Sequence, residues 1–232
     1  ASWRAALATL GVTSIVITAA YCRFGSGGRF AGQSPASSAF TALVRSASFW
    51  IMLVLFGLGV SATVGVYAML PLYLISERHV DASWANSLTA FSRSYGPIFG
   101  MLGGWVSDRL GPKQTMVVSL FVTGVLTLLL GLAPGYWIGT AVIVQPALAV
   151  WFFPAGFAAL AVIAPPQARN LAVGFTIPFG YLIGGGVVPT FIGVMGDAQL
   201  FSWGFVTTGV LITAAGVLAL SLNLPDDGNV RY

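Results

Sequence analysis

The stretch GMLGGWVSDRLGPKQTMV, residues 100–117, places one acidic and two basic side chains between two runs that carry almost no charge. The charged residues are Asp108, Arg109 and Lys113. The apolar runs on either side cover residues 84–106 and 114–133, and a helix of about twenty residues crosses the hydrocarbon core of a bilayer. The stretch therefore indicates a short polar turn between two membrane-spanning helices.

The composition of the whole chain agrees with a membrane protein. Of its 232 residues, 57% are hydrophobic and 7% are charged. A soluble domain uses about 25% charged residues to cover its water-facing surface, so that class is excluded. The chain also has no basic stripe, which argues against a nucleic-acid partner. The lipid bilayer is the expected surrounding.

Apolar runs of spanning length continue in both directions from residues 100–117. We predict seven spans, at residues 3–22, 49–75, 84–106, 114–133, 137–164, 170–196 and 203–223. The predicted fold class is all-α, a polytopic membrane protein with a six-helix bundle at 49–224 and one leading transmembrane helix. Residues 23–48, rich in Gly, Ser, Ala and Arg, are predicted to be a linker, and 225–232 a tail.

Basic residues predict the orientation of these spans. One side carries seven of them and the other side only Arg4 and Arg78; the seven are Arg23, Arg29, Arg45, Arg109, Lys113, Arg169 and Arg231. Loops rich in Lys and Arg stay in the cytoplasm. We therefore predict a multi-pass protein of the cell (inner) membrane, with the linker and the C-terminus cytoplasmic and the beginning of the chain outside.

The spacing Gly104-x-x-x-Asp108-Arg109-x-Gly111-x-Lys113 resembles the cytoplasmic loop signature of the major facilitator superfamily. The resemblance implies two six-helix bundles, transport by alternating access, and a gating role for these five residues. At positions 112 and 114, proline and glutamine stand where the signature often has basic residues.

The same five residues also have a physical interpretation. Gly104 is expected to let two helices approach closely, and Gly111 to let the backbone reverse. Asp108 suits the positive end of a neighbouring helix, and the two basic residues keep the loop inside. A positive loop with a helix-ending glycine is the simpler alternative.

An internal similarity suggests which half of the superfamily fold this chain covers. Residues 2–22 align with residues 202–222 on a shared Ser-Trp start and a similar apolar body. We therefore predict that residues 1–22 are the last helix of an amino-terminal bundle whose other helices are absent, and that 49–224 is the carboxy-terminal bundle. The alternatives are chance similarity of two apolar helices, an amino-terminal assignment for the bundle, and a half-size protein that dimerises.

Arg93 is the one ionisable residue that lies deep within a predicted span. A cation there costs from about 3 kcal/mol upward unless it faces a cavity, a partner or an anion. The predicted spans contain no acid at similar depth. We expect Arg93 to face a central aqueous cavity and to bind a carboxylate or another planar oxyanion. The alternative is a structural pair with a carboxylate outside this sequence.

Weaker candidates place other hydrogen-bonding groups at membrane depth. Asn86 shares a helical face with Arg93, and the further substrate-binding candidates are Tyr67, Gln145, Trp151 and Tyr181. Ordinary helix packing is the alternative for each. A central arginine in this helix also resembles the monocarboxylate and oxalate/formate-type transporters of the superfamily.

Catalysis finds little support, because His79 is the only histidine and no metal pair or Ser/His/Asp arrangement is available. We predict no enzyme activity, no cofactor and no metal. The predicted function is secondary active transport of a small organic anion, monocarboxylate-like, with protons or a counter-transported anion as further partners. The alternative is a non-transporting membrane scaffold or sensor in which Arg93 is structural.

Overall fold

The computed structural model describes residues 3–25 and 37–224 of the chain. Contacts divide the chain into two units, Ala1–Ser34 and Pro35–Tyr232. Within the described residues every regular element is a helix, which confirms the predicted all-α class. Arg29, Arg231 and the predicted tail lie outside the described residues.

Helix α1, Trp3–Phe24, is the described helix of the first unit. Its hydroxyl groups bond back to carbonyls one turn earlier, as Thr13 does to Thr9 and Thr18 to Ser14, both at 2.8 Å. These bonds satisfy the polar groups locally, so the helix can lie in hydrocarbon. The helix is 22 residues long and apolar enough to cross a membrane, as predicted for residues 3–22.

The second unit is a bundle whose spans are mostly built from pairs of shorter helices. In chain order these are α2 (Ser37–Arg45), α3 (Ala47–Val60), α4 (Val66–Ser76), α5 (Ala82–Ser94), α6 (Gly96–Leu110), α7 (Pro112–Leu132), α8 (Gly135–Ala149), α9 (Phe152–Ile163), α10 (Arg169–Tyr181), α11 (Val188–Asp197) and α12 (Phe201–Leu218). π-helical segments, Ser61–Gly65 and Leu182–Val187, join α3 to α4 and α10 to α11. Short 3₁₀ turns at Pro166–Ala168 and Ala219–Ser221 complete the set.

Helix α2 lies within residues 23–48, the stretch predicted as a linker. Its Leu43 side chain is buried, with 1% of its surface exposed. The composition of this stretch, rich in Gly, Ser, Ala and Arg, did not predict this short helix, which buries one apolar side chain.

The span predicted at 84–106 is not one continuous helix. Tyr95 separates α5, of 13 residues, from α6, of 15 residues, so neither helix alone has membrane length. The cause is Pro97, which has no N–H to donate to the carbonyl of Arg93, four residues earlier. Five other spans of the described bundle are long and apolar enough to cross a membrane, namely Ala47–Ser76, Pro112–Leu132, Gly135–Ile163, Pro166–Asp197 and Phe201–Ser221.

Glycines allow α7 and α12 to pack with their backbones in contact. A Cβ atom added at Gly209 would lie 2.6 Å from the backbone nitrogen of Leu128, and one at Gly216 would lie 2.8 Å from that of Phe121. Gly124 and Gly131 make equally close contacts from the side of α7. Such small-residue contacts are how helices associate in membranes, where no hydrophobic effect drives them together.

Two adjacent charged residues, Glu77 and Arg78, form hydrogen bonds to the ends of α12 and α7. The Glu77 carboxylate accepts hydrogen bonds from the Ser202 N–H, at 3.0 Å, and from the Ser202 hydroxyl, at the start of α12. The Arg78 guanidinium donates to the carbonyl oxygen of Gly131 at 3.0 Å, at the end of α7. An anion at a helix N-terminus and a cation at a helix C-terminus are both stabilised by the helix dipole.

Candidate functional site

Arg93 lies in the last turn of α5, immediately before the break at Tyr95. At 1.5 Å per residue it stands roughly 17 Å from the start of α5, well inside the span. Its Nη1 donates a hydrogen bond to the carbonyl oxygen of Thr63 at 2.8 Å, and its Cζ lies 5.6 Å from the centre of the Tyr67 ring. Among the described residues no carboxylate pairs with the guanidinium.

The π-helical segment Ser61–Gly65 explains why a backbone carbonyl is available to Arg93. A π-helical turn departs from the regular i→i−4 bonding of an α-helix, and such turns are frequent at functional sites. Two successive carbonyls of this segment accept side-chain hydrogen bonds, Thr63 from Arg93 and Ala62 from Gln145 Nε2 at 2.9 Å. The segment therefore fixes both polar side chains.

Pro146 supplies a second set of carbonyls in α8. Because proline has no N–H, the carbonyl of Val142, four residues earlier, has no helical donor. The Tyr67 hydroxyl donates to that oxygen at 2.8 Å, and the Tyr95 hydroxyl donates to the next one, Ile143. The tyrosine beneath the guanidinium is thus held in place by the proline of a neighbouring helix.

A cavity of about 230 Å³ opens beside Arg93. Its lining includes Thr63, Ser92, Arg93, Gly96, Phe153 and Tyr181. Gly96, the first residue of α6, follows the last residue of α5 by two positions, so opposite ends of the two helix dipoles meet beside the cavity. The guanidinium in this cavity favours an anion.

The guanidinium is only partly compensated by the protein. A hydrogen bond to a charged group is worth about 1.5–3 kcal/mol. This bond offsets part of the cost of about 3 kcal/mol or more for a cation at membrane depth. One of the five guanidinium N–H groups has an acceptor among the described residues, which leaves the other donors for a ligand.

The structure distributes the other predicted binding residues unevenly. Tyr181 lines the cavity beside Arg93. Tyr67 and Gln145 are buried and do not line it; the Tyr67 hydroxyl donates to a backbone oxygen, and Gln145 Nε2 donates to the Ala62 carbonyl and the Thr127 hydroxyl. Asn86 does not line this cavity, and its Nδ2 donates to the carbonyl of Ala82 at 2.8 Å. Trp151 lies between α8 and α9, with its buried Nε1 lacking an acceptor among the described residues.

Sequence reasoning missed several residues of this site, among them Thr63, Tyr95 and Phe153. Thr63 contributes its backbone carbonyl, and the sequence SATVG does not predict a π-helical segment. Tyr95 stands just before Gly96-Pro97, and that pair is the one signal that could have identified the break. Phe153 reads as one more apolar residue in an apolar span.

The loop between α6 and α7 has the sharp turn that its glycine predicted. Gly111 has φ of +89°, a region that other residues rarely adopt. The Arg109 guanidinium stacks on the Trp105 ring, 4.3 Å from its centre. Within residues 37–224, Asp108 and Lys113 form no ion pair, and the structure leaves their proposed gating role as a prediction.

The close helix approach expected at Gly104 occurs one residue earlier. A Cβ atom added at Gly103 would lie 2.7 Å from the Cα of Trp151, whereas one at Gly104 would be 3.9 Å from Pro154. Within residues 37–224 Gly103 makes this close approach, and a close approach at Gly104 stays a prediction. The difference is one of helical phase, because adjacent residues point about 100° apart and Gly103 is the one that faces α9.

Comparison with known proteins identifies relatives of this chain. A sequence profile of the Major Facilitator Superfamily matches residues 82–231. The chain is 32% identical over 162 residues to the inner membrane metabolite transport protein YhjE of Escherichia coli (strain K12), which covers 61% of this chain and 36% of that protein. It is 30% identical over 126 residues to the probable sulfoacetate transporter SauU of Cupriavidus necator, covering 53% and 28%. The matched region thus covers well under half the length of either relative.

A solved structure shares the fold. It is the crystal structure of a bacterial homologue of the human lysosomal transporter Spinster, in an inward-facing and unoccupied conformation. The TM-score is 0.63 at 17% sequence identity, covering 84% of this chain and 51% of that one. Since the superfamily profile matches more than half of the chain, and the helical membrane fold agrees with it, this chain belongs to the Major Facilitator Superfamily.

Proposed function

We propose that this chain forms part of a secondary transporter that moves a small organic anion, monocarboxylate-like, by alternating access. In this proposal Arg93 binds the carboxylate of the cargo. The observation that carries it is a guanidinium at membrane depth that bonds to one backbone carbonyl and, among the described residues, has no acid as a partner. An ionisable residue in such a position is by default a functional site.

The chemistry of the cavity suits a planar oxyanion. A guanidinium offers its donors in a rigid fork that matches the two oxygens of a carboxylate. The name of one relative, the probable sulfoacetate transporter, refers to an organic anion and supports the same substrate class.

The backbone around the site supports a moving bundle. The π-helical segments Ser61–Gly65 and Leu182–Val187 lie against each other, and a Cβ atom added at Gly184 would be 2.6 Å from the carbonyl carbon of Val60. Bends in helices concentrate at π-helical turns, prolines and glycines. We propose that these two spans flex together, against a second bundle supplied by residues outside this sequence.

Among the described residues, no acid lies near Arg93 that could carry a coupled proton. The acidic residues of the described bundle stand at helix ends or in loops; they are Glu77, Asp81, Asp108 and Asp197. A proton carrier would belong to residues outside this sequence. Without one, the protein would work as a uniporter or an anion exchanger.

Uptake by the full-length protein in proteoliposomes tests the proposal. Labelled acetate and lactate are the probes, and Arg93→Ala is the variant. A charge-assisted hydrogen bond of about 1.5–3 kcal/mol predicts uptake lower by roughly tenfold or more. Arg169→Ala is the matched control, since Arg169 is an exposed arginine at the start of α10, outside the cavity.

Undiminished uptake by Arg93→Ala would reject the anion-binding role. A well-folded full-length protein that transports none of a broad panel of carboxylates would favour the scaffold or sensor alternative. In that case Arg93 would serve only to join α5 to the π-helical segment.

A further inference from the structure

We propose that the transported anion is amphipathic, with an aryl or alkyl tail that binds in an aromatic cavity adjoining Arg93. This inference rests on the proposed function and specifies the cargo. It assigns a second subsite to the protein, formed by side chains of α3, α9 and α10.

The second cavity has a volume of about 310 Å³. Its lining is Phe56, Val60, Phe153, Phe157, Ile177 and Tyr181, without a charged residue. Phe153 and Tyr181 also line the Arg93 cavity, so the two spaces share a wall. A charged space that continues into an apolar one matches a ligand with a charged head and an apolar tail.

Aromatic contacts shape the wall of this second cavity. The Phe56 ring packs at 5.1 Å from Phe152 and at 5.2 Å from Phe157. Phe56 itself is buried, whereas Phe157 has 37% of its surface exposed. One face of the aromatic cluster is thus held rigidly while another is open to a ligand.

Chain direction indicates where the tail would point. Phe56 precedes Thr63 by two turns in the first span of the bundle, Phe157 follows Phe153 in α9, and Ile177 precedes Tyr181 in α10. Each of these steps leads toward the same end, where α3 begins and where the loop with Arg169 joins α9 to α10. The tail therefore points from Arg93 toward the basic, predicted cytoplasmic side.

Size also favours an amphipathic cargo over the smallest carboxylates. The Arg93 cavity, at about 230 Å³, is smaller than the roughly 300–1,000 Å³ typical of ligand sites. Taken with its neighbour, the space falls within that range. Acetate would leave the aromatic cavity without a ligand, whereas an aryl acid would bury its ring there.

Calorimetric binding to the full-length protein in nanodiscs tests this inference, with empty nanodiscs as the blank. The probes are acetate, propionate, butyrate and phenylacetate. Burial of each methylene predicts about fourfold tighter binding, and phenylacetate should bind at least about tenfold more tightly than acetate. Phenylacetamide, which keeps the ring but lacks the charge, should bind more weakly than phenylacetate.

Phe157→Ala should weaken phenylacetate binding by about tenfold and leave acetate binding unchanged. Phe191→Ala is the matched control, since Phe191 is exposed to a similar degree, 39% against 37%, and lies outside both cavities. Ile177→Trp narrows the cavity instead of enlarging it, and should weaken phenylacetate binding without changing acetate binding. This second variant keeps the test decisive if Phe157→Ala does not fold.

The outcomes separate this inference from the proposed function. Equal affinities across the series, with acetate binding still lost in Arg93→Ala, would overturn the tail site alone. Carboxylate binding that survives Arg93→Ala would overturn the proposed function. A third outcome is that Phe157→Ala and Ile177→Trp weaken the binding of acetate and phenylacetate equally and lower the melting temperature. That result would mean that the aromatic wall only supports the fold, and it would also overturn the tail site.

Discussion

Among the described residues, Arg93 is bonded to a backbone carbonyl group and to no acid. The carbonyl of Thr63 accepts its hydrogen bond, and the Tyr67 ring lies beneath it. The sequence could identify Arg93, because one charge in an apolar span is conspicuous. It could not identify the carbonyls around it, because any residue type can present a carbonyl, and only the backbone path decides which ones are free.

Removal of the Tyr67 hydroxyl tests this support. Tyr67→Phe keeps the ring under Arg93 but leaves the Val142 carbonyl without the donor that replaces the missing N–H of Pro146. We expect the free energy of unfolding to fall by about 1–3 kcal/mol, the cost of a buried unsatisfied group. Thermal or denaturant unfolding in detergent measures it. Tyr136→Phe, at a tyrosine that is 76% exposed, should change little, and an equal loss there would contradict the assignment.

At the scale of elements, the number and order of the spans follow from apolar length, whereas their internal breaks do not. Pro97 divides one predicted span into α5 and α6, while Pro146 and Pro178 remain inside helices. Each proline removes one hydrogen bond, and the surrounding packing decides whether the helix continues. The sequence does not predict the π-helical segments either. Span positions were thus predictable, but the geometry that forms the site was not.

The α7–α12 contact gives a prediction about glycine. Gly209→Ala places a methyl group against the backbone of Leu128, and overpacking of this kind costs about 1–3 kcal/mol. The melting temperature in detergent should fall accordingly. Gly139→Ala is the control, because nothing lies within 4 Å of the added atom, and there the higher helix propensity of alanine should raise stability by up to about 1 kcal/mol. Equal effects at the two positions would contradict the proposed helix contact.

At the scale of the whole molecule, the charged residues of the described bundle other than Arg93 lie at the two ends of its spans. Glu77 and Asp197 line one cavity of about 450 Å³ together with His79, beside the residues that join α7 to α12. Arg109 and Lys113 lie at the α6–α7 turn, the opposite end of those spans. The sequence predicted this separation from its loops. The assignment of the ends to the two sides of the membrane stays a prediction.

Cysteine labelling tests that assignment. In a Cys22→Ser background, Ser83→Cys lies at the exposed start of α5 and Gln114→Cys at the exposed start of α7. A membrane-impermeant maleimide should label Ser83→Cys in intact cells, and should label Gln114→Cys only after permeabilisation, because positive loops stay in the cytoplasm. The reverse pattern would invert the predicted orientation.

The most direct test of the central claim is equilibrium binding of a carboxylate and its uncharged amide to the full-length protein, with and without Arg93→Gln. If the guanidinium keeps free donors for an anion, the unsubstituted protein should prefer phenylacetate over phenylacetamide by about tenfold or more, and the variant should lose that preference. A preference that persists unchanged in Arg93→Gln would contradict the account.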